Sequence, residues 1–286
     1  MLAVVLGWEA IKPAETLGPV VPPVTVVSSA TPAASPRAGA APSVVDLRAQ
    51  VTTNKLYSAG KVPAVRCRPP TAALRTKAAL LTHARVLVDC MHRAWSPLVA
   101  QGDFYLEVPK LAAYKDVGEK STTCGAPPPD SEAFYCPSDA AIFFEWELYL
   151  EEDPEDPEWD LVYFQFMLAH EYAHHLQSMI GILAAYDANH ESASAAVKLE
   201  DERRLELQAD CLGAAFLGAN HRALQLTDEW REIFEYQVRD TGDDTAPELP
   251  RDHGSRKSHA YWSLRAFASG NPASCNTFVA PAARVS

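Results

Sequence analysis

His170-Glu171-Tyr172-Ala173-His174 holds three ionisable side chains at a spacing that suits metal chemistry. Two histidines four apart lie on one helix face, so both imidazoles can reach one metal ion. Glu171 is turned toward the place where an activated water would sit, and there it can take a proton as general base. The surroundings sharpen the reading. Leu161, Val162, Phe164, Phe166, Met167 and Leu168 leave no polar face in the first half of a helix expected over 161–186. Ionisable groups in so apolar a helix are costly unless a partner such as a metal holds them. A pair of ordinary core histidines is the competing reading.

A hydrolytic zinc centre needs three protein ligands and an open position. The arrangement with a glycine three and a histidine six residues after the second ligand is excluded, because the chain has Gln177 and Ile180 there. The third ligand must come from another element. Arg204-Leu205-Glu206-Leu207-Gln208-Ala209-Asp210 offers Glu206 as ligand. Asp210, one turn on, can accept the proton of a ligand histidine's distal nitrogen and so orient its ring. A solvated acidic helix face is the plainer account of such carboxylates, and Glu200, Asp201 and Glu202 suit it better. By chemistry alone those three, Glu191 and His190 stay open as ligands. In Asp252-His253-Gly254-Ser255, His253 can hydrogen-bond the oxyanion of a tetrahedral intermediate, or be a loop histidine beside a helix cap. His175 lies off the ligand face and reads as a packing histidine. His83, His92, His190, His221 and His259 read as surface or core histidines.

Several elements must position these residues. A helix is expected between Thr71, its cap, and Gln101, with Pro97 ending or kinking it. Phe104–Val108 is a strand candidate, followed by a turn-rich stretch around Cys124, Gly125 and Pro127. Phe134–Cys136 and Ala141–Leu150 read as extended, the second with Ile142, Phe144, Trp146 and Leu148 alternating. Nine carboxylates and no basic residue lie between Glu145 and Asp160, a solvated loop without the spacing of a calcium-binding hand. Asp160 is placed to cap the 161–186 helix. Another helix is expected over Ala193–Leu217, with shorter ones at 227–239 and 255–269, the last capped by Ser255.

Composition bounds the function class. Hydrophobic residues make up 48% of the chain, enough for a real core. The net charge of −12 repels phosphate backbones and anionic membrane surfaces, so nucleic acid is not an expected partner. No apolar run approaches the ~18 to 20 residues of a spanning helix. Met1–Trp8 is apolar but short, either the stump of a membrane anchor or an apolar end. The Pro- and Ala-rich residues 1–45 read as a disordered stalk or linker.

The six cysteines are Cys67, Cys90, Cys124, Cys136, Cys211 and Cys275. None stands at zinc-finger spacing, and an even, well-separated set fits disulfides in an oxidising compartment better than buried cytosolic thiols. One pairing hypothesis among many joins Cys67 to Cys90, Cys124 to Cys136 and Cys211 to Cys275. The last would brace the Glu206 helix against the terminal segment.

HEYAHHLQ at 170–177, ELQADCLGA at 206–214 and HGS at 253–255 resemble the bacterial putative neutral zinc metallopeptidase family. The resemblance also runs through NKLYSAG at 54–60, FYCP at 134–137 and SGNPASCNTF at 269–278. It implies His170 and His174 as zinc ligands, Glu171 as catalytic base and Glu206 as third ligand. The ExxAD pattern at Glu206–Asp210 is similar to the gluzincin class and supports Asp210 behind a ligand histidine. The family is typically extracytoplasmic, behind an N-terminal anchor and linker. One departure is Phe143-Phe144-Glu145-Trp146, where relatives tend to have a shorter Tyr-Leu-Asp ending.

The expectation is an α+β, zincin-like domain over residues 46–286, predominantly helical, with a small β-sheet beside the HExxH helix. It would hold one zinc ion and hydrolyse peptide bonds of a peptide or protein substrate. A peptide would add to the sheet at the 141–150 strand. The alternatives are a zinc-stabilised extracytoplasmic binding protein that cleaves nothing, and a zinc amidase acting on a non-peptide envelope substrate. Localisation is expected outside the cytoplasm, secreted or anchored through the stalk. The oligomeric state is left open.

Overall fold

The computed structural model describes residues 44–286 apart from 71–72, 116–121, 127–130, 151–156, 191–192 and 246–250. Seven helices are described: α1 (Val44–Thr52), α2 (Lys77–Ala100), α3 (Pro157–Met179), α4 (Ile182–His190), α5 (Ala195–Asn220), α6 (Asp228–Asp240) and α7 (Arg256–Ser269). Three short strands, β1 (Lys110–Tyr114), β2 (Ala133–Cys136) and β3 (Ala141–Glu145), complete an α+β architecture. The expected stalk lies outside the described residues except at its end, where α1 already begins at Val44.

Helix α3 is the centre of the core. Val162, Phe164, Leu168, Tyr172 and Leu176 are fully buried on it, as its all-round apolar sequence requires. It starts at Pro157, so Asp160 lies in the first turn rather than at the cap. Proline suits the first helical position because its missing N–H has no partner there. The helix expected to run unbroken to 186 stops at Met179. Gly181 follows with φ +76°, the left-handed conformation that ends helices. The freed Ile180 carbonyl accepts from Gln50 Nε2 at 2.6 Å and Asn54 Nδ2 at 3.2 Å, which staples α1 to the break.

Helix α5 packs on α3 and α7 through two glycines. A Cβ on Gly213 would stand 3.0 Å from the Ala169 carbonyl, and one on Gly218 would stand 1.9 Å from the Phe267 carbonyl oxygen. These contacts bring the α5 backbone against α3 beside His170. Arg204, buried on α5, donates to the carbonyls of Thr277 and Ala280, which clamps the C-terminal segment alongside.

Helix α2 is capped by Thr76, whose hydroxyl accepts from Ala79 N at 3.2 Å. The expected cap, Thr71, lies outside the described residues. Pro97, expected to end or kink the helix, sits inside its last turn and does not end it. α6 is capped by Thr227, accepting from Trp230 N at 2.9 Å. At α7 the Ser255 hydroxyl faces Ser258 Oγ at 3.2 Å instead of a helix N–H.

The sheet order is β1-β3-β2, with β1 parallel and β2 antiparallel to β3. Two expectations change. Phe104–Val108 is not a strand: the Glu107 carbonyl is turned to His175 at 2.8 Å, and pairing starts only after Pro109. The 141–150 strand stops at Glu145, where a 3-10 turn (Trp146–Tyr149) drives Tyr149 into the core. Because β3 is the central strand, both its edges are already paired, and it cannot accept a peptide.

Three disulfides join Cys67–Cys90, Cys124–Cys136 and Cys211–Cys275. They match the pairing read from the sequence and fit an oxidising compartment. No helix among the described residues is long and apolar enough to cross a membrane.

Candidate metal centre

His170 and His174 sit one turn apart on α3, and Glu206 faces them from α5. His170 Nε2 and His174 Nε2 are 2.9 Å apart, and Glu206 Oε2 is 3.2 Å from each. All three residues are buried. Among the described residues this is the one group of His, Cys, Asp and Glu atoms close enough together to hold a metal ion.

The outer nitrogens decide what the inner ones offer. His170 Nδ1 lies 2.7 Å from Asp210 Oδ1, and His174 Nδ1 lies 2.8 Å from Gln177 Oε1. Both partners are acceptors, so each Nδ1 carries a proton. In the neutral rings both Nε2 lone pairs then point at each other and at a carboxylate oxygen. Three buried acceptors converging on one point are held together by a cation, a proton when no metal is bound or a metal ion in its place. Two imidazole nitrogens and one carboxylate are a donor set that suits zinc.

In the metal-free protein the electrostatics follow the same cluster. Burial works against charge on His170, yet hydrogen bonds to Asp210 and Glu206 hold its pKa well above the usual range. Burial also opposes ionisation of Glu206, but the His174 charge and both histidine hydrogen bonds keep its pKa well below normal. Burial pushes Glu171 up, while His170 and His174 pull it back. Glu171 Oε2 is buried and has no hydrogen-bond partner.

His253 enters from the loop before α7. Its Nε2 is 3.9 Å from Glu206 Oε2, and Asp252 Oδ1 accepts from its Nδ1 at 2.6 Å. Asp243 Oδ2 fixes the loop by accepting the amides of His253 and Gly254 at 3.1 and 3.0 Å. Gly254 has φ +102°, which explains a glycine there. Glu202, one turn ahead of Glu206 on α5, is pushed up to about 7 by burial and by the charges of Asp252 and Glu206.

The other acidic candidates are held elsewhere. Glu200 and Asp201 pair with Arg204 at 2.7 and 4.0 Å. Glu191 lies outside the described residues. His175 packs as read, with Tyr135 Oη at 3.0 Å and the Glu107 carbonyl at 2.8 Å. Two contacts escaped the sequence reading. His259 on α7 reads from sequence as an ordinary surface or core histidine, but its Nδ1 donates to Asp210 Oδ2 at 2.5 Å. Gln177 enters the sequence reading through the motif and the excluded glycine position, though its i+3 spacing from His174 is a usable signal for this contact.

The family described as "Putative neutral zinc metallopeptidase" matches this chain over residues 45–278. "Uncharacterized protein YpfJ" of Escherichia coli K12 is 29% identical over 180 residues, covering 59% of this chain and 61% of that protein. "Uncharacterized protein Rv2575" of Mycobacterium tuberculosis H37Rv is 25% identical over 193 residues, covering 57% of this chain and 60% of that protein. The alignments thus span about three fifths of these relatives' length. No solved structure matches.

Proposed function

The chain belongs to the putative neutral zinc metallopeptidase family, and from that membership we propose that it is a zinc-dependent peptidase of zincin-like, gluzincin-type build. The observation that supports this most directly is the convergence of His170 Nε2, His174 Nε2 and Glu206 Oε2 near Glu171, whose buried Oε2 has no hydrogen-bond partner.

His170, His174 and Glu206 would hold one zinc ion. Bound there, zinc supplies Lewis acidity, lowering the pKa of a water and polarising a scissile carbonyl. Glu171 takes the water's proton and delivers it to the leaving amine. Its buried, unbonded oxygen is free for that task. Asp210 and Gln177 hold the two imidazoles with Nδ1 protonated. His253, its Nδ1–H held by Asp252, stands beside Glu206; in the doubly protonated form, which burial opposes but Asp252 and Glu206 favour, it donates from Nε2 toward the oxyanion. Glu171 weighs against the scaffold reading, since a structural zinc needs no base next to it. The substrate is a peptide or protein rather than nucleic acid, met outside the cytoplasm by a secreted or anchored enzyme. The amidase reading differs only in substrate.

Elemental analysis with a peptide-library digest tests the proposal. Wild type and Glu171→Gln should each hold about one zinc per chain, and only wild type should cleave. Zinc in both with cleavage by neither would reject the peptidase reading. No zinc uptake even on titration would reject the metal centre.

A further inference from the structure

Two sequence motifs, NKLYSAG and SGNPASCNTF, are not used by the chemistry above, yet both reach the site through one buried chain of hydrogen bonds. His174 Nδ1 faces Gln177 Oε1 at 2.8 Å. Gln177 Nε2 donates to the Leu205 carbonyl at 2.9 Å and to Gln208 Oε1 at 3.1 Å. Gln208 Nε2 donates to the Cys275 carbonyl at 3.1 Å and to Tyr57 Oη at 2.8 Å. Tyr57 Oη donates to the Val51 carbonyl at 2.9 Å. Gln177 and Gln208 are both fully buried.

The direction of this chain is not free. Main-chain carbonyls only accept, so Leu205 and Cys275 determine which side of each glutamine is the NH2 group. Each amide oxygen must then face the other way. Gln208 offers its oxygen to Gln177, and Gln177 offers its oxygen to His174. The Val51 carbonyl orients the Tyr57 hydroxyl so that its lone pair meets Gln208. Reversing any member would set two acceptors or two donors against each other in a buried place, which is costly.

We propose that the relay Gln177–Gln208–Tyr57 locks His174 in the tautomer protonated at Nδ1, and that Gln208 and Tyr57 are positioning residues for the metal centre although neither touches it. The lock keeps the His174 Nε2 lone pair aimed at the point shared with His170 and Glu206. It makes the N-terminal segment and the Cys275 segment parts of the site. The metal role of His174 rests on the function proposed above; the tautomer does not.

The test uses wild type, Gln177→Met and Tyr57→Phe in two measurements. Zinc affinity is read by chelator competition. The His174 tautomer is read by histidine side-chain nitrogen NMR, on zinc-loaded protein and on metal-free protein at about pH 9, above the ordinary histidine range. Wild type should show His174 protonated at Nδ1 in both forms. Gln177→Met should lose roughly 10- to 100-fold in zinc affinity and give an altered or averaged tautomer. Tyr57→Phe should lose about 3- to 10-fold, the worth of one hydrogen bond, without loss of fold. If Gln177→Met does not fold, Tyr57→Phe decides alone. Protonation at Nε2 in metal-free wild type, or variants with unchanged affinity and unchanged His174 resonances, would overturn the relay and leave the metal reading standing. If wild type takes up no zinc, the metal reading falls, and the metal-free spectra still decide the relay.

Discussion

Asp210 and His259 meet at 2.5 Å, Oδ2 to Nδ1, while the other oxygen of Asp210 holds His170 Nδ1 at 2.7 Å. One carboxylate on α5 therefore links α7 to the first imidazole of the site. Burial opposes its charge, but His259 and His170 hold its pKa below normal. Removing Asp210 frees the His170 ring and removes the acceptor that fixes its protonated nitrogen. Asp210→Ala should weaken zinc binding by about 10- to 100-fold. His259→Ala should have a smaller effect in the same direction, because it loosens Asp210 rather than removing it. Chelator competition on both variants checks the order; equal affinity in all three proteins would refute it.

His83 predicts an acid limit of stability. It is 2% exposed, and its Nε2 lies 3.1 Å from Gln165 Nε2. Gln165 Oε1 is engaged by Trp230 Nε1 at 2.8 Å, so the amide turns its NH2 toward His83. His83 must accept there, and a charged imidazole cannot. Burial accordingly lowers its pKa from 6.5 to about 4. The unfolded chain binds the proton first, so stability is fully present above about pH 6.5 and is lost as pH falls toward 4. The loss amounts to about 3 kcal/mol over that window. Urea unfolding at a series of pH values should show it, and His83→Gln should flatten the slope.

Gly218 predicts a steric limit. With a Cβ position 1.9 Å from the Phe267 carbonyl oxygen, Gly218→Ala must push α5 and α7 apart. Overpacking of this kind costs roughly 1–3 kcal/mol or more, since backbone must move. Gly213→Ala meets the Ala169 carbonyl at 3.0 Å, a milder clash placed beside His170. The melting temperature should fall more for Gly218→Ala. Zinc affinity relative to stability should fall more for Gly213→Ala.

The disulfides should rank by the chain they close. Cys211–Cys275 spans 64 residues and Cys124–Cys136 spans 12. Loop-closure entropy gives about 4 kcal/mol for the first and about 3 for the second. Replacing the Cys211–Cys275 pair by serine and alanine, respectively, should lower the melting temperature more than the same change at Cys124–Cys136. The reverse order would show that native packing, not loop length, dominates.

What the sequence reveals depends on how far apart the partners are. His170 and His174 are legible because helical periodicity alone places both on one face. Glu206 stands among Glu200, Asp201 and Glu202 with the same chemistry; only its spacing and the family resemblance favour it, and the pairing of Glu200 and Asp201 with Arg204 emerges only in three dimensions. Phe104–Val108 alternates like a strand, but alternation does not say which backbone finds a partner, and its Glu107 carbonyl goes to a histidine. Gly181 is inconspicuous inside an apolar run because the Ile180 carbonyl is capped by Gln50 and Asn54, distant in sequence. The link between His259 and Asp210 joins two helices that no local pattern relates.

The three converging side chains lie between residues 170 and 206, but the parts that hold them run from Tyr57 to Cys275. A chain emerging from the ribosome therefore possesses its donors long before it possesses their frame. The His174 side waits for the segment containing Cys275, and the His170 side waits for α7. Formation of the site is a late event in the life of the polypeptide, completed when the Tyr57 and Cys275 segments come together around Gln208.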